Sequence, residues 1–368
     1  MQPPYRADHV GSLIRPRSLI QARQDRKRDL IDAAALRAIE DQAIRDSVLA
    51  QQRIGLKAIT DGEFRRDSWH WDFYREIGGI EELDQLVAKP LSTQGSFQFT
   101  ASALRAKERL TLNHTIFGDD FAFLKGATTG TAKLTIPAPS VLHRRGGPRL
   151  IDPAIYPDIA EFWSDLTMVY AAEIAALGRL GCRYLQLDDT SFAALCDPVL
   201  RAQMTSIGSD GDTIHLTYIR AINEALRGRP AGMAVTLHTC RGNFRGVGFA
   251  SGGYDFLAES LFSELTVDGF FLEYDDARSG GFEPLRFLPK GKKAVLGLVS
   301  TKTGAMESPD AIKRRIDEAA RFAPLDQLCL SPQCGFASVA AGEAVAEAEQ
   351  FAKLRLVVET AREVWGET

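Results

Sequence analysis

The sequence predicts an α/β protein built as a (β/α)8 TIM barrel, with parallel strands and an elaborated insertion after the second strand. Short apolar runs recur along the chain and alternate with helix-like stretches, a pattern that favours a parallel α/β fold over a sandwich. Eight such runs are present. Polar residues with chemical potential follow these runs closely, and a barrel of this kind gathers its chemistry at the C-terminal ends of its strands.

In chain order, the runs end near Val10-Gly11-Ser12, Ile59-Thr60-Asp61, Leu134-Thr135-Ile136, Leu185-Gln186-Leu187, Val235-Thr236-Leu237, Phe270-Phe271-Leu272, Leu296-Gly297-Leu298 and Leu328-Cys329-Leu330. Residues 69–130 make too long a connection for an ordinary crossover, so they are expected to form an insertion that covers the active-site face. Between the third and fourth runs, Ile159, Phe162, Leu166 and Val169 share one helical face. Between the fourth and fifth, a helix is expected from about Asp212. A closing helix is expected from Gly342 to about Trp365, in a stretch rich in Ala, Glu, Leu and Val. There is no internal repeat and no low-complexity tract. Residues 1–368 are expected to form a single domain.

The 368 residues are 45% hydrophobic and 25% charged, enough for a large buried core, and the net charge is -4. No basic stripe suits nucleic acid and no polybasic patch suits a membrane, so small molecules are the expected partners. A homodimer is allowed. The opening Met-Gln-Pro-Pro-Tyr-Arg is unlike a signal peptide, and no run of about 18 apolar residues could span a bilayer. A cytoplasmic location is expected. Five cysteines argue against a disulfide framework. Cys182, Cys196 and Cys329 sit among apolar neighbours and read as core residues.

His238 and Cys240 are two residues apart at a strand end and project to the same side. Glu273 closes the run Asp-Gly-Phe-Phe-Leu-Glu, and Cys334 lies in Leu-Ser-Pro-Gln-Cys-Gly after the last run. In a barrel all four reach one rim and offer one nitrogen, two sulfurs and one oxygen, a set suited to tetrahedral zinc. Each alone has a plainer explanation, as a core histidine, a buried thiol or a solvated acid. Their joint placement after the fifth, sixth and eighth runs favours a metal site, because apolar packing has no reason to assemble them.

His238-Thr-Cys240, Glu273 and Ser331-Pro-Gln-Cys334-Gly-Phe resemble the zinc ligands of the cobalamin-independent methionine synthase family, in its catalytic C-terminal barrel. Val10-Gly11-Ser12, Gly62-Glu63 with Arg66-Asp67, and Leu185-Gln186-Leu187-Asp188 match in the same order, so the resemblance covers nearly the whole chain. It implies a zinc-dependent methyltransferase that carries a methyl group to the sulfur of homocysteine and yields methionine. It also implies that Glu63 and Asp188 contact the amino group of homocysteine and that Ser12 contacts its backbone end. Electrostatics agree, since two carboxylates beside a zinc–thiolate site need a cation and an α-ammonium supplies one. The plainer roles are a helix cap for Asp188 and an ion pair with Arg65 or Arg66 for Glu63. His9, just before Ser12, is a further candidate for orienting substrate.

The family's methyl donor is 5-methyltetrahydrofolate, and three departures bear on it. Lys302 stands where the family places a histidine that protonates the departing folate nitrogen, and a lysine is a poor acid at neutral pH unless its pKa is lowered. His143 stands in place of a tryptophan that the resemblance leads one to expect against the folate ring. The long N-terminal half of the full-length synthases, which helps to hold the folate, has no counterpart. Trp69, Trp71, Phe73 and Tyr74 offer flat surface for a donor, or ordinary packing. One alternative keeps the zinc thiolate and changes the electrophile to a corrinoid-bound methyl group or an epoxide opened by coenzyme M. Its sulfonate would need Arg241 or Arg245. A second is a non-catalytic barrel that binds zinc or a thiol. A Rossmann dehydrogenase is disfavoured, because no Gly-x-Gly-x-x-Gly follows the first run.

Overall fold

The computed structural model describes residues 2–88, 99–145, 147–242, 248–337 and 345–368. Seven parallel strands form one sheet in the order β1-β4-β5-β6-β7-β8-β9. They are β1 (Ala58–Ile59), β4 (Thr131–Pro137), β5 (Tyr184–Asp189), β6 (Ala234–Thr239), β7 (Gly269–Glu273), β8 (Lys293–Val299) and β9 (Leu328–Pro332). Except for the first residues of β4, β6 and β8, every residue in these strands is buried. This is the continuous apolar character of a parallel sheet covered on both faces, and it makes the chain an α/β TIM barrel. The remaining strands, β2 (Gly78–Ala88) and β3 (Phe99–Thr111), pair antiparallel as a separate hairpin within the segment 69–130. That segment also holds the helix Gly118–Ala127, which packs against β4 as a barrel helix does.

The helices fall where apolar periodicity places them. Ile159–Arg179 begins with the Asp158 carboxylate accepting from the Ala160 N–H, and it buries Phe162, Leu166 and Val169. Ile159 itself is exposed at the first position. The helix expected from Asp212 runs over Ile214–Ala225, and the closing helix over Glu347–Trp365. Its expected start at Gly342 lies outside the described residues. No described helix is long and apolar enough to cross a membrane. Cys182, Cys196 and Cys329 are buried free thiols.

The first expected strand, ending at Val10-Gly11-Ser12, is not a ladder strand. Its only bridge is Ala7 to Leu330. The cause is local: the Asp8 carboxylate accepts from its neighbours His9 N (2.8 Å) and Tyr5 N (3.2 Å), and Gly11 has φ +145°. These turn the backbone away from a regular ladder. The segment still closes the barrel. On the β9 side, Asp8 N donates to Leu330 O (3.0 Å) and Leu330 N to Arg6 O (2.8 Å). On the β1 side, the Thr60 hydroxyl donates to Gly11 O (2.7 Å) and Leu13 N to Gly62 O (3.0 Å).

A buried ion pair fixes this closure from inside. Lys133 of β4 reaches Asp8 Oδ1 at 3.1 Å and the His9 carbonyl at 2.5 Å, and the Tyr184 hydroxyl donates to Asp8 Oδ2 at 2.9 Å. The ammonium also sits over the rings of Phe271 (4.1 Å) and Tyr184 (4.8 Å). Removing one partner strands the other in the core. Asp8→Ala is therefore expected to lower unfolding stability by about 3–5 kcal/mol, and Asp8→Ala with Lys133→Met to lose less than Asp8→Ala alone. Urea unfolding of the three proteins checks both outcomes.

Candidate metal centre and adjoining pocket

Strand register brings the candidate donors together. Asp188 stands opposite His238, His238 opposite Phe271, and Glu273 opposite Gly297. Because β5, β6 and β7 are adjacent and parallel, their C-terminal ends share one rim. Cys334 joins them from the turn after β9, where Gln333 N donates to Val299 O at 2.8 Å and Phe336 N to Ser12 O at 3.0 Å.

One ligand atom from each of His238, Cys240, Glu273 and Cys334 lies within 4.8 Å of all the others. The two sulfurs are 3.5 Å apart. Two thiolates on one zinc, with Zn–S of about 2.3 Å and a tetrahedral angle, would stand about 3.8 Å apart. Glu273 Oε1 accepts from Arg241 N at 3.0 Å, whereas Oε2 is buried with no hydrogen-bond partner. Neither ring nitrogen of His238 makes a well-formed hydrogen bond. Two unpartnered donor atoms beside two thiols form a set that fits a borderline-soft divalent cation.

The electrostatics of these groups lead the same way. Burial, and then Lys133, lower the His238 pKa to about 3 and keep the ring in the neutral form that binds metals. The Cys334 thiol is pushed well up by its contact with Cys240 and by burial. Cys240 gains from that contact, but burial and Glu273 leave it raised. Burial lifts Glu273 to about 7 against the opposing charge of Lys302. A cation at this point would lower the pKa values of both thiols and of Glu273, and would hold His238 in the neutral form it already has.

Ser12, Glu63, Trp69 and Asp188 line one small pocket with His238, Cys240 and Cys334. Glu63 is held at φ +59°, a left-handed conformation that costs a residue with a Cβ about 1 kcal/mol. Its carboxylate accepts from the Thr135 hydroxyl at 2.8 Å, with Arg66 at 3.8 Å, so its pairing with arginine is loose. Arg65 instead pairs with Asp41 and lies near Asp120. Asp188 is not the helix cap. Asp189 is: its Oδ1 accepts from Ser191 N (2.6 Å) and Phe192 N (2.7 Å). Asp188 faces the pocket and accepts from Gln186 at 2.7 Å. Burial, and then Glu63, push the Asp188 pKa well up, while burial also raises Glu63.

Other sequence candidates lie apart. His9 is buried outside the pocket lining, with Nε2 3.2 Å from the Ala58 carbonyl. Lys302 contacts Asp275 at 2.9 Å and Asp276 at 3.2 Å. Although burial opposes it, Asp275 and then Glu273 raise the Lys302 pKa, so the proton is held more tightly than in water. His143 is buried against Trp163 and Tyr218, with Nδ1 3.0 Å from the tyrosine hydroxyl. Phe73 and Tyr74 are core, and only Trp69 of that aromatic group reaches the pocket. Arg241 is 1% exposed and stacks 4.4 Å from the Tyr254 ring, outside the lining, and Arg245 lies outside the described residues. Sequence reasoning missed Asp275, Asp276, Thr135 and Gln186. Only Gln186 had a signal, being two residues before Asp188 on the same strand face.

Residues 7–363 match the family described as "Cobalamin-independent synthase, Catalytic domain". The chain belongs to this family. It is 43% identical to the uncharacterized protein YxjH of Bacillus subtilis over 98% of this chain and 95% of that one. It is 26% identical to the methionine synthase of Pyrococcus horikoshii, over 89% of this chain and 84% of that one. A crystal structure of the putative vitamin-B12 independent methionine synthase from Listeria monocytogenes has 38% identity and a TM-score of 0.79, with both chains covered completely. Membership of this family makes the protein methyltransferase-like and accords with its barrel fold.

The Glu273 shift generates a prediction for the metal-free protein. A carboxyl at about 7 when folded and 4.5 when unfolded stabilises the fold fully below pH 4.5, and loses that stabilisation as pH rises through 7. Between pH 5 and pH 8, unfolding stability should drop by up to about 3 kcal/mol from this group. Glu273→Gln should flatten that slope in urea titrations after chelation.

Proposed function

We propose that the protein is a zinc-dependent S-methyltransferase that methylates the thiol of homocysteine, with 5-methyltetrahydrofolate as the donor. The observation that carries this reading is the joining of two halves in one pocket: four donors for a metal, and two buried carboxylates beside them. When bound to His238, Cys240, Glu273 and Cys334, zinc would keep a substrate thiol ionised at neutral pH.

The chain's own groups supply the rest. Glu63 and Asp188 are mutually repulsive buried acids, and an α-ammonium between them removes the penalty on both. Thr135 and Gln186 fix their orientation by hydrogen bonds that an incoming cation need not break. The Ser12 hydroxyl is available to the backbone end of the substrate. Trp69 narrows the pocket and excludes water from the sulfur. In the transfer, the sulfur lone pair forms the new S–C bond as the donor's N–CH3 bond breaks. The nitrogen keeps that electron pair and takes up one proton. Lys302, clamped by Asp275 and Asp276, is a fixed positive charge near Glu273 rather than the source of that proton. The paired acids favour an amino-acid thiol over a sulfonate-bearing one, which they would repel.

Two outcomes check the reading. His238→Ala and Cys334→Ser should each reduce zinc well below about one equivalent per chain, measured by plasma mass spectrometry after dialysis. Asp188→Asn should retain zinc yet raise KM for L-homocysteine by about 10–100-fold, the loss of a charge-assisted contact. Unchanged zinc in the first pair would contradict the ligand assignment, and an unchanged KM in the second would contradict the ammonium site.

A further inference from the structure

Three acids stand at the end of β7 and just beyond it, Glu273, Asp275 and Asp276, and each needs a counter-charge. Two of them have one. Lys302 Nζ lies 2.9 Å from Asp275, and Arg278 binds Asp276 Oδ2 through Nε (2.9 Å) and Nη2 (2.7 Å). The third acid, Glu273, keeps an unpartnered Oε2. A third cation, Arg241, keeps Nε, Nη1 and Nη2 all buried and all without a hydrogen bond. Among the described residues Arg241 forms no ion pair, yet it and Glu273 each feel the other's charge.

This guanidinium is held firmly from several sides. The Arg241 carbonyl accepts from Phe249 N (2.9 Å) and Ala250 N (3.3 Å), and its N–H donates to Glu273 Oε1. Its charged end lies 4.4 Å from the ring centre of Tyr254, which is fully buried and packs edge-on to Tyr274. The Tyr254 hydroxyl accepts from Glu273 N and from the Thr239 hydroxyl, both at 3.1 Å. The ring that carries the guanidinium is thus pinned to the ends of β6 and β7, the strands of His238 and Glu273. An arginine cannot shed its proton to relieve burial. A permanent positive charge therefore sits outside the pocket lining but within electrostatic reach of a metal ligand.

With zinc bound, two thiolates and a carboxylate leave the centre with net negative charge, and an ionised substrate sulfur adds more. In a buried site that addition is costly unless a cation stands near. We infer that Arg241 is the counter-charge for the substrate's ionised sulfur, a positioning residue that lets the site hold a thiolate and release the thioether made from it. This rests on the thiol-methylation reading above and adds a discrimination to it. When the sulfur lone pair becomes the S–CH3 bond, the sulfur loses its negative charge while the ammonium and carboxylate of the amino acid stay as they were. The attraction of Arg241 for the ligand is lost at the step that makes the product.

Calorimetric titration of the zinc-loaded protein with L-homocysteine and with L-methionine tests this directly. Arg241→Met and Arg241→Gln, which keep much of the bulk and lose the charge, should each weaken homocysteine binding by at least about tenfold while methionine binding changes by less than about twofold. Zinc should stay near about one equivalent per chain in both. Arg241→Lys should bring homocysteine binding back to within about threefold of the unaltered protein, a rescue that packing alone would not give. Equal weakening of both ligands, no weakening of either, or loss of zinc or of the fold in both neutral variants would overturn the counter-charge and leave the methylation reading standing. Failure of homocysteine to bind the unaltered, zinc-loaded protein would overturn that reading, and the counter-charge with it.

Discussion

The site depends on a single electrostatic constraint: five groups that carry negative charge when ionised, four of them buried and Cys240 half-buried, surround one small pocket. Glu63, Asp188, Glu273, Cys240 and Cys334 all have pKa values above their ordinary ones, with burial a cause in each. Among the described residues no local cation is placed to cancel them all, since Arg66 is turned largely to Thr135 and Lys302 to Asp275 and Asp276. Such a cluster is tolerable only in a frame too stiff to rearrange, and it gains stability whenever cations enter. In the proposed reading, a divalent metal among the sulfurs and an ammonium between the acids would meet this requirement in separate halves of the pocket. Binding and chemistry are thus two uses of one imbalance.

The stiffness comes from the barrel. Parallel strands deliver side chains to one rim with the register of a ladder, so His238, Asp188 and Glu273 are positioned by backbone pairing rather than by flexible loops. The weakest part of such a cylinder is its seam, where β1 has only two residues and the N-terminal segment pairs through a single bridge. Here the Asp8–Lys133 pair and the close approach of Gly11 to Thr135 take over from ladder hydrogen bonds. A Cβ at Gly11 would lie 2.6 Å from Thr135 Cγ2, and Thr135 is the residue that orients Glu63. The seam and the proposed substrate site therefore share a residue, which would tie barrel closure to substrate binding.

Much of this was legible in the sequence. Seven of the eight strands were readable because a strand buried on both faces is a short apolar run, and the donors were readable because they follow those runs directly. The first strand was not, because its pattern of apolar residues hides an Asp8 that bonds its own neighbours. The resemblance named Asp188 as the substrate-side acid but left a helix cap as its plainer role; that Asp189 supplies the oxygen at the helix start escaped the sequence, since adjacent aspartates differ only in which face of the strand they occupy. Lys302 shows the larger limit. Asp275, which holds its proton more firmly, is 27 residues away in the chain, and no local pattern reveals the contact.

The measurement that tests the central claim most directly is zinc-edge X-ray absorption on the zinc-loaded protein, with and without L-homocysteine. The account predicts two sulfur and two nitrogen or oxygen neighbours before addition, and one further zinc–sulfur bond after it. A spectrum unchanged by saturating homocysteine would contradict it, because the four donors would then enclose a purely structural metal and the paired carboxylates would need another explanation.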